Sequence, residues 1–327
     1  FSPRLIEVMR AALERKEQII LFQNRRGFSS FIECKTCGWV PRCPHCDVTL
    51  TLHKKTSTLT CHYCGYTTRI PERCPACEED KFTDIGTGTE KVEEQIAHLF
   101  EGITTLRMDL DTATTRTQFE RIISDFSEHK ADILIGTQMV TKGLDFDHVS
   151  VVGILDADTM LNLPDFRSYE RTFQTLSQVA GRAGRNNTAG HVILQTRSAE
   201  SDIIRQITQG DYWQMFYTQM TERQLFHYPP FRRLIYVYLR HKDDELLEHL
   251  AADMAERLRQ IFGERVLGPD RPPIARLHSL YIRKIMLKIE RQTSTEKVRK
   301  NLIAIQQQML SLPVAKNLNI YYDVDPL

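Results

Sequence analysis

All eight cysteines of the chain fall between positions 34 and 77, as four C-x-x-C pairs: Cys34/Cys37, Cys43/Cys46, Cys61/Cys64 and Cys74/Cys77. A two-residue spacer lets one tight turn aim both sulfurs at a single tetrahedral ion, so four pairs make two four-thiolate zinc sites. A disulfide framework and redox C-x-x-C chemistry are the competing readings, disfavoured because the rest of the chain contains no cysteine. Residues 47–60 alternate β-branched and apolar side chains around Lys54-Lys55-Thr56-Ser57, the pattern of a hairpin. Such a hairpin sets Cys43 and Cys46 beside Cys61 and Cys64 and leaves Cys34 and Cys37 to meet Cys74 and Cys77. Pairing of first with second and third with fourth is the alternative. His45, His53 and His62 could replace a thiolate, but eight sulfurs already complete two sets. With no ligand position left for a catalytic water, both ions read as structural, and binding energies of about 10–16 kcal/mol stand in for a core this segment is too small to build. Trp39, Tyr63 and Tyr66 are read as covers over these sites, with base stacking the less favoured role.

A second chemistry is written in Gln178-Val-Ala-Gly181-Arg182-Ala-Gly184-Arg185, where two arginines lie three apart among small residues. Guanidinium forks suit phosphate, and glycines let backbone approach a ligand. Gly136-Thr137-Gln138-Met-Val-Thr141-Lys142-Gly143-Leu-Asp145-Phe-Asp147 follows the apolar run 132–135. The carboxyl end of a strand is where ligands of open α/β sheets bind. Gly86-Thr87-Gly88-Thr89-Glu90 also follows a strand and opens a helix, with Thr87 and Glu90 spaced as a capping box. No G-x-x-x-x-G-K-[ST] occurs in the 327 residues, so a Walker A cradle is lacking and the arginine motif reads as one half of a two-lobed nucleotide site.

The elements that must position these groups alternate. Helices are expected at 4–16, 89–100, 116–128 and 168–180, and strands at 18–23, 82–85, 104–108, 132–136, 149–155 and 191–195. This is the α/β pattern of a parallel sheet with helices on both faces, interrupted by the zinc module. After Tyr228-Pro229-Pro230 the order becomes β-α-β-β-α-β, with strands at 234–240, 265–267, 280–290 and 318–324 and helices at 243–262 and 295–310, a ferredoxin-like α+β motif. Within strand 280–290 and just beyond it, Arg283, Lys288 and Arg291 read as exposed candidates for a salt-sensitive single-stranded-DNA surface.

With 41% hydrophobic and 26% charged residues the chain is globular rather than disordered. Its 43 basic and 42 acidic side chains leave a net charge of +1, so any polyanion contact must be local. No apolar run approaches the roughly 18–20 residues of a membrane helix, and a cytoplasmic protein without membrane partners is expected. The chain opens at Phe1 inside a helical pattern, which suggests a fragment of a longer protein.

Together these motifs resemble the second motor lobe of superfamily 2 helicases. With the eight-cysteine insert, the chain resembles the C-terminal half of the primosomal protein N-prime (PriA) family of replication-restart helicases. The resemblance runs from Phe1 to Leu327 and includes Gln23-Asn-Arg-Arg-Gly27, Asp156-x-Asp158, Asp165-Phe-Arg-x-x-Glu170-Arg171 and Asp323-Val-Asp-Pro326. It implies a RecA-like lobe over residues 1–225, a nested double-zinc insert over 33–80, and a ribosomal-protein-like DNA-binding domain over 226–327. It further implies ATP- and Mg2+-dependent 3′ to 5′ movement on DNA, recognition of stalled replication forks, and work with single-stranded-DNA-binding protein and other primosome proteins. Carried over by position, Gln178, Arg182 and Arg185 face ATP, with Gly143, Asp145, Gly181 and Gly184 lining the nucleotide. Thr137, Gln138 and Lys142, with Thr87 and Thr89, are expected to contact nucleic acid. The family's first lobe, with Walker A and Walker B, is not in this sequence, so the fragment alone is expected to be inactive. A zinc-stabilised docking module without motor activity is the other reading, and a Rossmann-type enzyme, lacking its glycine fingerprint, the weakest.

Overall fold

The computed structural model describes residues 1–23, 31–53, 56–85, 88–109, 112–141, 146–184 and 190–326. The chain opens with helix α1 (Pro3–Glu14) and strand β1 (Gln18–Phe22). Through the cysteine segment run β2 (Phe31–Cys34), β3 (Thr51–His53), β4 (Thr58–Thr60), β5 (Thr67–Arg69) and β6 (Phe82–Ile85). Then come α2 (Thr89–Leu99), β7 (Thr105–Met108), α3 (Arg116–Ser127), β8 (Ile133–Gly136), β9 (Val149–Ile154), α4 (Asp158–Leu161), α5 (Ser168–Ala180), β10 (His191–Leu194), α6 (Asp202–Gln209) and α7 (Tyr212–Leu225). The last part holds β11 (Arg232–His241), α8 (Asp244–Phe262), β12 (Val266–Asp270), β13 (Arg276–Leu277), β14 (Leu280–Glu290), α9 (Thr295–Leu310) and β15 (Asn319–Val324). These elements form two compact units, one of Phe1–Ser30 with Gly86–Gln219, the other of Phe31–Ile85 with Met220–Leu327.

The first unit is built on a five-stranded parallel sheet in the order β10-β9-β1-β8-β7. Period-two alternation along its buried strands feeds two cores. Ile20, Phe22, Leu134 and Val152 point to the face covered by Phe126 of α3 and by Phe173, Leu176 and Val179 of α5. Ile19, Leu21, Ile133 and Val151 point to the opposite face, under Leu5 and Met9 of α1 and Val92 and Ile96 of α2. Helix α1 starts as its sequence dictates: Pro3 stands in the first turn and the Ser2 hydroxyl accepts the Leu5 amide at 3.3 Å. The parallel sheet with helices on both faces is the architecture read from the sequence. Helices α6 and α7 were not foreseen.

In the second unit β2 and β6 form an antiparallel ribbon, with Cys34 opposite Phe82, and β3-β4-β5 form a small antiparallel sheet. This corrects the expectation that 82–85 continues the parallel sheet. A cluster made from the first and last cysteine pairs brings the entering and leaving chains together, so they pair with each other instead. The remaining elements follow β-α-β-β-α-β, with sheet order β12-β14-β11-β15, all antiparallel, and β13 pairing β14. Helices α8 and α9 cover one sheet face: Leu250, Met254, Leu258, Leu302 and Ile305 pack on Val237, Leu239, Ile285 and Leu287.

A second correction falls on β14. Arg283 shares strand parity with the buried Ile285, Leu287 and Ile289, and it is 1% exposed. Its Nη2 donates to Asp244 at 2.5 Å and its Nε to Glu248 at 2.7 Å. Lys288, on the other parity, is half-buried, with its ammonium 3.7 Å from the Tyr228 ring centroid and donating to the Phe226 carbonyl at 2.7 Å. Of the three, only Arg291 is exposed. No helix among the described residues is long and apolar enough to cross a membrane.

Candidate metal centres and nucleotide-facing turns

Each cysteine pair sits in a short turn whose backbone closes on itself. The amides of Cys34, Cys43, Cys61 and Cys74 donate to the carbonyls of Trp39, Val48, Tyr66 and Glu79 at 2.9, 2.9, 2.8 and 2.7 Å, which folds each pair into a knuckle with both sulfurs on one side. The knuckles meet in nested fashion. Cys34, Cys37, Cys74 and Cys77 form one cluster and Cys43, Cys46, Cys61 and Cys64 the other, with sulfurs within 4.8 Å of one another in each. Cys34–Cys77, Cys37–Cys74 and Cys43–Cys64 are 3.5, 3.6 and 3.5 Å apart, close to the roughly 3.8 Å between thiolates ~2.3 Å from one tetrahedral ion. Donor type, number and spacing therefore suit two zinc ions. Both sets are complete with four sulfurs, which fits structural rather than catalytic metal.

The two clusters differ in surroundings. Thiols shift in both directions within each: in the first, a hydrogen bond from the Cys37 amide holds Cys34 down to about 7 while Cys77 is raised to about 12, and in the second, burial pushes Cys43 up to about 12 while a hydrogen bond from the Tyr66 amide lowers Cys64; it is the apolar packing that sets them apart. Cys43, Cys46 and Cys61 are part of a small core with Ile32, Leu50, Leu52 and Leu59. Burial favours the protonated form of Cys43 and Cys46, and metal entry must expel those protons. His45 and His53 lie beside this core as packing partners, His45 edge-on to Tyr66 and His53 against His62.

The arginine turn ends α5. Gln178 is exposed near the end of the helix, Gly181 caps it, and Arg182, half-buried, donates its amide to Val179 at 3.0 Å. Gly184 adopts φ 73° and donates its amide to the carbonyl of Val149 at 3.0 Å, tying the turn to the first residue of β9. A Cβ on Gly190 would lie 2.5 Å from the Gly184 nitrogen, so glycine there is what lets the returning chain pass. Arg185 lies outside the described residues.

Thr137 and Gln138 lie at the other end of the sheet. Thr137 follows the last residue of β8 and donates its amide to Met108 at 3.2 Å; Gln138 opens a 3-10 turn, Gln138–Thr141. Gly136 permits that turn, since a Cβ would meet Val140 Cγ1 at 2.1 Å. The structure thus separates Thr137 and Gln138 from Arg182 and Gly184 by the length of β9, six residues or about 20 Å. Lys142, Gly143 and Asp145, in the connection between these ends, lie outside the described residues, as do Thr87 and residues 24–27.

Thr89 is buried, and its hydroxyl donates to Asp109. The N-cap of α2 is Gly88 rather than Thr87, without a side-chain cap, and Glu90 pairs with Arg107 at 3.1 Å. Arg107 also lies 3.8 Å from Glu93 and 3.5 Å from Asp109, a half-buried charge network that the reading of motifs overlooked. Its signal was the alternation Arg107-x-Asp109 leaving β7. Asp156 accepts from the Thr159 amide and hydroxyl, Asp158 holds the Thr196 hydroxyl and Arg197 amide, and Asp165 pairs with Arg167 and Arg171. These carboxylates brace the approach to α5.

Comparison with known proteins follows the same division. Residues 43–69 match the PriA DNA helicase Cys-rich region (CRR) domain, 81–187 the helicase conserved C-terminal domain, and 224–327 the primosomal protein N C-terminal domain. Replication restart protein PriA of Bacillus subtilis (strain 168) is 39% identical over 100% of this chain and 40% of its own length. The protein of that name from Haemophilus influenzae is 33% identical over 99% of this chain and 44% of its own. The Pyrococcus furiosus Hef helicase domain superposes with a TM-score of 0.31 at 16% identity, covering 63% of this chain and 27% of that one. The family matches define the C-terminal lobe of a helicase, joined to a cysteine-rich zinc-binding module and the primosomal protein N C-terminal domain. The chain belongs to the replication restart protein PriA family and corresponds to its C-terminal portion. It spans less than half the length of these two relatives.

Proposed function

We propose that the chain is the arginine-bearing half of an ATP- and Mg2+-dependent DNA helicase that moves 3′ to 5′, acts at stalled replication forks and drives primosome assembly in the cytoplasm. The observation that carries this is the Gly184–Val149 bond, which holds the turn of Gln178, Arg182 and Gly184 at the amino end of β9. In that role Gln178, Arg182 and Arg185 face the γ-phosphate across a cleft closed by the preceding lobe, and the arginines stabilise charge as it develops there. Gly143, Asp145, Gly181 and Gly184 let backbone approach the nucleotide. Thr137 and Gln138, at the far end of the sheet, track the strand together with Lys142, and the 137–148 connection carries the nucleotide state to them. For Thr89, whose hydroxyl is held by Asp109, the backbone rather than the side chain serves any such contact. Two zinc ions hold the ribbon. Single-stranded-DNA-binding protein and other primosome proteins are the proposed partners.

The test is DNA-stimulated ATP hydrolysis and strand displacement by the protein extended to the length of its relatives. The reading expects hydrolysis that depends on DNA and displacement of a 3′ to 5′ polarity. Hydrolysis indifferent to DNA, or none, would favour a zinc-stabilised docking module.

A further inference from the structure

Three of the four cysteine knuckles complete a second internal bond. The amides of Gly38, Gly65 and Glu78 donate to the carbonyls of Cys34, Cys61 and Cys74 at 2.9, 2.9 and 2.8 Å, each from a residue with positive φ (73°, 76° and 61°). In the Cys43–Cys46 knuckle the equivalent amide, that of Asp47, donates to the carbonyl of Arg276 at 2.8 Å. The contact is reciprocated. The Ser279 amide donates to the His45 carbonyl at 2.7 Å, its hydroxyl lies 3.2 Å from His45 Nδ1, and the His278 amide donates to Cys46 Sγ at 3.5 Å. Leu277 packs against the apolar core that contains Cys43, Cys46 and Cys61. His278 and Ser279 both take left-handed φ, 49° and 63°, so the reversal between β13 and β14 turns its amides toward the knuckle.

We propose that the Arg276–Ser279 hairpin tip is the outer hydrogen-bonding shell of the Cys43/Cys46/Cys61/Cys64 metal site, so that filling this site and docking the tip are one linked equilibrium. A metal-bound thiolate is anionic and accepts an N–H bond more strongly than a protonated thiol does, so the His278 amide gains from the metal and the metal gains from the amide. Linkage makes the coupling factor the same in both directions. The other cluster is built differently: its knuckles bond through Cys34–Trp39, Lys35–Lys81 and Cys74–Glu79, within the ribbon itself. The proposal does not depend on motor activity.

Two arms test it on the zinc-loaded 327-residue chain. In the first, amide hydrogen exchange at His278 and Ser279 is compared between wild type, Cys64→Ser and Cys37→Ser. Exchange should rise by about tenfold or more in Cys64→Ser and stay at the wild-type rate in Cys37→Ser. Equal protection in all three, or loss of protection in Cys37→Ser alone, overturns the proposal. This arm leaves the C-terminal sheet unaltered and decides by itself. In the second, zinc release to a chromogenic chelator is followed in Leu277→Ala, with the amides of Val237 and Leu287 reporting an intact sheet. One of the two ions should leave about tenfold faster and the other at its original rate. Unchanged release of both contradicts the linkage.

Discussion

The amide of Gly184 donates to the carbonyl of Val149 at 3.0 Å, and a Cβ on Gly190 would press on that amide from 2.5 Å. The arginine turn is therefore tied to the sheet through its backbone, and its position depends on a glycine that carries no chemistry. Gly190→Ala should cost about 2 kcal/mol, since the clash is with backbone and cannot be relieved by a side chain moving aside. Urea unfolding checks this; an unchanged midpoint would mean the turn does not pack as described.

Two zinc ions per chain are expected by elemental analysis, with eight thiols titrating only after metal is released. Cys37→Ser and Cys64→Ser should each lower the count to one, because each removes a ligand from a different cluster. Adjacent rather than nested pairing would be revealed if Cys37→Ser and Cys77→Ser emptied different sites.

Arg283 anchors α8 to β14 from within the core, through Asp244 and Glu248. Arg283→Ala should destabilise the chain by about 2–3 kcal/mol, below the roughly 3–5 kcal/mol of a fully buried broken pair because the two carboxylates are themselves 31% and 52% exposed. A loss under about 0.5 kcal/mol, the range of ordinary surface substitutions, would show the pair to be dispensable.

The Tyr322 hydroxyl donates to the Leu302 carbonyl at 3.0 Å, and burial pushes its pKa up to about 12 from 10.0. The folded state then keeps a proton that the unfolded chain loses. The tyrosine's contribution is whole below pH 10 and is lost as pH rises toward 12, with a slope of at most about 1.4 kcal/mol per pH unit. Tyr322→Phe should remove that part of the alkaline slope. An identical slope in both proteins would contradict the assignment.

How much of this was legible in the sequence depends on the range of the interaction. The cysteine partition could be read because the C-x-x-C spacing and the 47–60 hairpin are local, although local pattern alone left adjacent pairing open. The strands of the parallel sheet announced themselves as apolar runs such as 132–135. Phe82–Ile85 misled because its partner, β2, was set by metal-cluster closure rather than by its own pattern. Helix α7 was missed because its aromatics, Tyr212, Trp213, Phe216 and Tyr217, form a ladder on one another with no clear apolar stripe. Arg283 was misplaced although parity with Ile285 and Leu287 placed it inside; its charge was weighed above its register. The bonds from Arg276–Ser279 to the knuckle are made mostly by backbone groups across more than two hundred residues, and no local sequence pattern records them.

The proposed role of Arg182 and Arg185 is to complete an ATP site from this half of the molecule. It is tested most directly by steady-state ATP hydrolysis with saturating DNA in the full-length protein, comparing wild type with Arg182→Ala and Arg185→Ala at equal zinc content. Turnover should fall by roughly a thousandfold for the arginine that meets the γ-phosphate, with both metal ions retained. Turnover near the wild-type rate in both variants would contradict it.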